Sequence, residues 1–238
     1  MQEYRVSSFA ELHEALAIHR RDAGWIYRGH ADPDWPLVPR AGRPPFGNGH
    51  DEVFFRRWKS EALQYVEAEE RRADDWNWLA IAQHNGSATR LLDWTFKPLA
   101  AAWFAVMEPG EGESVVWCYK TNNILRLKER DEKTPFQRQG VTQFTPTRVS
   151  ARVSRYIGLF THHGPPTLSV EDGMTSLDKL EKIIIQSDYR NELMFELNQY
   201  GINSQTLFPN LVGLSRHFNW ISASFDYWRE GITGIKKP

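Results

Sequence analysis

The side chains best suited to chemistry lie in three separated groups. Arg28, between Tyr27 and Gly29, offers five fixed N–H donors matched to a carboxylate or a phosphate, and Gly29 lets backbone or ligand come close. The alternative is a strand-end arginine in a surface salt bridge. Further along, Arg90 and Asp93 flank an apolar pair beside Trp94, directly before an apolar helix starting at Pro98. Opposite charges held against a buried helix are costly unless they meet each other or a ligand. Both outcomes stay open: an internal ion pair tying a loop to the helix start, or a charged site. The third group is basic. Residues 126–155 hold eight arginines and lysines against three acids, with Arg148, Arg152 and Arg155 close together and Phe136, Phe144 and Tyr156 interleaved. Such a stretch is either a solvated loop or a contact for single-stranded nucleic acid.

Other chemistries find less support. Adjacent His162 and His163 would face opposite sides of an extended strand, which makes a poor chelating pair, and no other His, Cys and acid grouping has metal spacing. No metal is expected. Gly47-Asn48-Gly49 lacks the rest of a dinucleotide fingerprint.

The elements that must position these groups can be read from caps and periodicity. Ser8 to Glu11 is a capping box opening a helix to about Arg21, with Leu12, Ala15, Leu16 and His19 inward. A strand follows from Trp25 and ends at His30. Proline and glycine then mark a loop from about Ala31 to His50, long enough to act as a lid or binding loop. A long helix is expected from Asp51 to about Asp74, with Phe54, Phe55, Trp58, Ala62, Tyr65 and Val66 as its apolar stripe, and a second over Trp76–Ala82. Pro98 and the alanines after it give a buried helix. Strands are expected over 114–119, 158–163 and 180–185, and a helix capped by Asp188 and stopped by Gly201. Gln205 to Pro209 reads as an extended corner. Leu211, Leu214, Phe218, Ile221, Phe225 and Trp228 recur at threes and fours, predicting a last helix over about 211–229 with that stripe in the core. Trp220 and Tyr227 would remain for a partner. Helices and strands mix without a βαβ period, so the fold class is α+β: a single domain over 1–238 of small mixed sheets with flanking helices.

Composition bounds the rest. With 238 residues, ten tryptophans and 13% aromatics, the chain can bury a sizeable core. A formal charge of −1 gives no whole-chain attraction to nucleic acid or membrane. Cys118 is the only cysteine, no signal peptide is visible and no apolar run is long enough to span a bilayer. The expectation is a soluble, cytoplasmic protein without membrane contact.

Taken together, Trp25-Ile26-Tyr27-Arg28-Gly29, Trp35-Pro36-Leu37-Val38-Pro39-Arg40 and the 83–95 segment QHNGSATRLLDWT with its PLAAAWFA helix resemble the FRG domain family, named for its Phe/Tyr-Arg-Gly motif. The likeness continues through RVSRYIGLFT, YRNELMFELNQYGI and TLFPNLVGL, covering about residues 20 to 215. Where many members carry Gln-x-Gly, this chain has Tyr156-Ile157-Gly158. An aromatic-Arg-Gly strand end also resembles the first motif of ADP-ribosyltransferases, which implies a transferase-like fold with NAD as co-substrate. On that likeness Arg28 would hold the phosphate or ribose, Gly29 would keep the approach clear, and Tyr27 would pack near the nicotinamide or orient Arg28. Asp93 would stabilise the cationic sugar, with Glu192 and Glu196 as second candidates. His84 and Arg90 would serve the pyrophosphate or the acceptor, and Thr89 and Trp94 would complete the NAD site. The usual transferase Glu-x-Glu or Gln-x-Glu pair is not visible. The reading this favours is an NAD-dependent ADP-ribosyltransferase modifying RNA, single-stranded DNA or protein, suited to a toxin or defence effector, with a neutralising partner on the last helix. The alternatives are a nuclease or nucleic-acid-binding protein that uses no NAD, and a non-catalytic interaction module.

Overall fold

The computed structural model describes residues 1–68, 70–147 and 158–224. The chain opens with strand β1 (Gln2–Val6) and helix α1 (Phe9–Arg20). Ser8 caps α1 by accepting the Glu11 N–H, while the Glu11 carboxylate reaches back to the Ser7 N–H, one residue before the cap. Leu12, Ala15, Leu16 and His19 are buried, as their spacing requires. Strand β2 (Ile26–His30) leads into the 31–50 loop, whose only regular piece is a 3-10 turn at Arg40–Gly42.

Helix α2 (Asp51–Ala62) is shorter than its sequence predicts. Glu67, Glu69 and Glu70 would oppose the dipole of a longer helix, and Asp74 starts a new one, α3 (Asp75–His84), by accepting the Asn77 N–H at 2.7 Å. The buried face of α2 is correspondingly narrow: Phe55 and Ala62 are in the core, while Phe54 and Tyr65 are exposed. Strand β3 (Leu91–Trp94), helix α4 (Pro98–Val106) and strand β4 (Ser114–Lys120) follow. The basic stretch is structured where it is described: Leu127–Glu132 forms α5 and Gly140–Phe144 forms β5. The order closes with β6 (Leu159–Gly164), α6 (Val170–Gly173), β7 (Lys179–Ile185), α7 (Arg190–Gln199), α8 (Ser204–Leu207) and α9 (Leu211–Ala223).

This is an α+β fold with two small sheets, ordered β1-β7-β4-β2 and β3-β6-β5. β1 runs parallel to β7, and the remaining pairings are antiparallel. The two sheets meet where Tyr27 and Thr95 exchange backbone hydrogen bonds of 2.8 and 2.9 Å. That bridge brings the β2 motif beside β3.

Three readings near the C-terminus are corrected. Asp188 lies within a 3-10 turn and Tyr189 is the N-cap residue of α7, so Asp188 does not cap it. The expected extended corner is α8, closed by reciprocal Asn203 and Thr206 hydrogen bonds. On α9 the buried residues are Gly213 and His217, whereas Leu211 and Phe218 are exposed. Glycine decides this, because a Cβ at 213 would stand 1.9 Å from the Phe208 carbonyl oxygen. Phe225, Tyr227 and Trp228 lie outside the described residues. Among the described residues no helix is long and apolar enough to cross a membrane.

Candidate functional site

Alternation along β2 sends Tyr27 and Gly29 to one face and Arg28 to the other. Tyr27 belongs to the core shared with α1 and α4, its ring 5.8 Å from that of His19. Burial pushes its phenol pKa well up. It therefore does not orient Arg28 by side-chain contact. Gly29 is required by the helix behind it: a Cβ there would meet the Ala101 carbonyl oxygen at 2.1 Å and the Ala105 nitrogen at 2.4 Å. Of the two roles expected for this glycine, close approach of backbone and close approach of a ligand, the first is the one the packing of α4 requires.

Arg28 is half-buried, its side chain 19% exposed. Its Nε donates to His30 Nε2 at 2.8 Å and its Nη1 to the Asp93 carbonyl oxygen at 2.8 Å, while the Asp93 carboxylate stands 3.8 Å from Nη1. Nη2 makes no hydrogen bond to any described residue. Burial lowers the Arg28 pKa and Asp93 opposes that shift. His30 is neutral, its pKa lowered to about 3 by burial first and by the Arg28 charge second.

Asp93 is the other half of the site. Its Oδ2 accepts from Gln83 Nε2 at 2.8 Å, Gln83 Oε1 accepts from the Thr89 hydroxyl at 2.7 Å, and Thr89 Oγ1 accepts from the Leu91 N–H. The chain of bonds fixes Oδ2, and Oδ1 accepts no hydrogen bond from any described residue. Tyr27, Arg28, Gly29, His84, Asp93 and Trp94 all line one cleft of about 530 Å³, a volume in the range of small-molecule sites. Two motifs more than fifty residues apart thus share one cavity. Asp93 is its only acid among the described lining residues. Burial lowers the His84 pKa, against the pull of Asp93, so its imidazole is neutral near pH 7. Trp94 is held from behind, its indole N–H donating to Thr161 Oγ1 at 3.0 Å.

Other expected site residues lie elsewhere. Arg90 is not paired with Asp93 and does not line the cleft. Its Nε and Nη2 grip the Asp51 carboxylate at 2.7 and 2.9 Å, its Nη1 donates to the Pro135 carbonyl and its guanidinium lies 4.6 Å from the Phe136 ring centroid. Thr89 is buried and acts through Gln83. Glu196 accepts from the Tyr189 hydroxyl, and neither it nor Glu192 reaches the cleft. Arg130 donates to the Thr145 carbonyl and Arg138 to Thr142 and Glu129, so these two are tied into the fold. Arg148, Arg152 and Arg155 lie outside the described residues. Among the described residues no group of three or more His, Cys, Asp or Glu could hold a metal ion.

Residues 23–114 match the FRG domain model. The chain contains an FRG domain. The matched stretch holds the whole Tyr-Arg-Gly corner, α3, β3 and α4, so the FRG domain supplies nearly every wall of the cleft. The exceptions are Phe208 and Asn210, which the α8–α9 corner adds from outside it. Those two, with His30, Gln83, Thr95 and Phe104, are the site residues that spacing did not reveal. Gln83, Thr95, Phe104, Phe208 and Asn210 all lie within stretches that carry the family resemblance, but nothing in those stretches marks them as cleft residues. No curated protein and no solved structure matches the chain.

Proposed function

We propose that the cleft binds NAD and that the protein is an ADP-ribosyltransferase acting on a macromolecule, nucleic acid first. The observation that carries this reading is the meeting of the Arg28 guanidinium and the Asp93 carboxylate in one aromatic-walled cleft. Arg28 Nη2 holds a phosphate oxygen or ribose hydroxyl. Asp93 Oδ1 stands by the sugar as the bond from C1′ to the nicotinamide nitrogen breaks; the pyridine keeps the electron pair and C1′ becomes cationic. A carboxylate already in position stabilises that charge without reorganising. The acceptor's nucleophile bonds to C1′, and its proton passes to the neutral His84 imidazole. Phe104 and Phe208 keep competing water out. The choice of nucleic acid rests on the charge of 126–155, and such an activity suits a toxin or defence effector.

The test is labelled NAD with whole-cell RNA, DNA or protein, alongside Arg28→Ala and Asp93→Asn. Label transfer with nicotinamide release supports the reading. Loss of a transition-state contact costs roughly 2.7–4 kcal/mol, a hundredfold or more in rate. A drop below tenfold for an Arg28→Ala protein that melts normally would overturn it. The exposed Leu211, Val212 and Phe218 on α9 favour a second reading, a module that docks a partner protein. That reading gains if NAD is inert and substitution of Phe218 abolishes a complex.

A further inference from the structure

A second pocket, of about 290 Å³, shares no lining residue with the cleft and lies at the small end of the range for ligand sites. Trp103 reaches it from α4, Met194 from α7, Ser204 from α8 and His217 from α9. Trp103 and Phe104 are neighbours on α4, so one helix gives Phe104 to the cleft and Trp103 to this pocket.

Three of these side chains carry polar atoms with nothing to bond. Trp103, Ser204 and His217 are 3%, 6% and 9% exposed. Even so, Trp103 Nε1, Ser204 Oγ and His217 Nε2 make no hydrogen bond to any described residue, and none of the three is sealed from solvent. The other buried indole N–H groups among the described residues are either bonded, as in Trp76 and Trp94, or sealed in the core, as in Trp25, Trp78 and Trp117. Trp103 is neither. For side chains this buried, the opening is the pocket they line.

All three atoms are suited to donate. An indole N–H can do nothing else. His217 Nδ1 is sealed without a partner, and a lone pair is more easily left there than an N–H, so the ring proton sits on Nε2. Burial lowers the His217 pKa, which keeps the ring neutral near pH 7. The Ser204 hydroxyl can donate beside them. Arg216, exposed and in no ion pair among the described residues, lines the same pocket. Convergent donors and a cation call for an anionic oxygen. Glu108 is the one acid among the described lining residues and disfavours a dianion such as phosphate, while Met107 and Met194 offer apolar wall.

We propose that this pocket binds a small organic monocarboxylate, its oxygens on Trp103, Ser204 and His217 and its apolar body against the two methionines. Neither the pocket nor its ligand depends on what the cleft binds.

The experiment measures binding to the full chain by calorimetry and thermal shift, with phenylacetate, L-phenylalanine, phenethylamine and inorganic phosphate as probes. Phenylacetate should bind saturably and raise the melting temperature; phenethylamine, which lacks the carboxylate, and phosphate should do neither. L-Phenylalanine separates an amino acid from a simple acid as the source of the carboxylate, and saturable binding of either through the three donors supports the assignment. Trp103→Phe keeps a ring and removes the N–H, and Ser204→Ala removes a hydroxyl that holds no bond in the fold. Each should weaken the carboxylate about tenfold, the worth of one hydrogen bond to a charged group. Should Trp103→Phe melt lower, Ser204→Ala decides, since it should melt within about 2 °C of wild type. The proposal is overturned if affinity survives Ser204→Ala within twofold, or if phenethylamine or phosphate binds as well as phenylacetate. It is also overturned if neither carboxylate binds saturably up to about 10 mM.

Discussion

Separating the two ends of the buried Arg90–Asp51 pair should unfold the protein before it touches catalysis. Both side chains are 7% exposed and joined by two charge-assisted hydrogen bonds. Breaking such a pair costs about 3–5 kcal/mol, because the survivor is left charged and buried. The structure orders the two single variants. After Arg90→Met, Asp51 still sits in the first turn of α2, where the helix dipole favours an anion, and the Pro135 carbonyl still accepts from His162 at 2.6 Å. After Asp51→Ala, Arg90 keeps the Pro135 carbonyl and the Phe136 face but has no acid. Asp51→Ala should therefore fall near the upper end of the range and Arg90→Met near the lower. At about 2–4 °C per kcal/mol for a chain of this size, the melting temperatures drop by about 6–20 °C. The double variant Arg90→Met with Asp51→Leu removes both charges and should recover most of the loss. Thermal and urea denaturation followed by circular dichroism read this directly, with nicotinamide release normalised to folded protein. An Arg90→Met protein that melts within about 2 °C of wild type yet has lost turnover would refute the reasoning. It would put Arg90 back in the site.

Two further outcomes follow from the packing. Gly29→Ala places a methyl against the Ala101 carbonyl and the Ala105 nitrogen, both backbone, so relief requires moving α4 off β2. The expected loss is at or above the roughly 1–3 kcal/mol of ordinary overpacking, and wild-type urea stability would disprove it. The buried histidines make the fold acid-sensitive. His30 and His162 stay neutral down to about pH 3 and His163 to about pH 4, all chiefly through burial. The unfolded chain protonates them near pH 6.5, so below that pH it binds more protons and stability falls as pH is lowered. At about 1.4 kcal/mol per pH unit for each histidine, the slope reaches about 4 kcal/mol per unit on the way to pH 4, with none of it above about pH 7. Urea midpoints that hold constant from pH 7 to pH 5 would contradict this.

What can be read without coordinates is what neighbours in the chain decide. Pro98 and the alanines specify α4, Ser8 places the start of α1, and the apolar run at Ser114–Lys120 gives β4, because caps and burial patterns are local. The meeting of the Tyr-Arg-Gly corner with Asp93 was expected from the motifs of a family and not from spacing. β3 was missed, since Leu91–Trp94 is short and charged and becomes a strand only by pairing with β6. The stripe on α9 misled because Gly213, the smallest residue of that helix, set which face could dock.

Composition and local pattern by themselves determined the fold class, the positions of most helices and strands, and the residue types available for chemistry. Tertiary structure alone decided which acid Arg90 grips, thirty-nine positions away, and which aromatic rings wall the cleft. It also brought Trp103, Ser204 and His217 from three helices into one pocket. A charge's partner depends on where the chain returns in space, and nothing in a short stretch of sequence records that return.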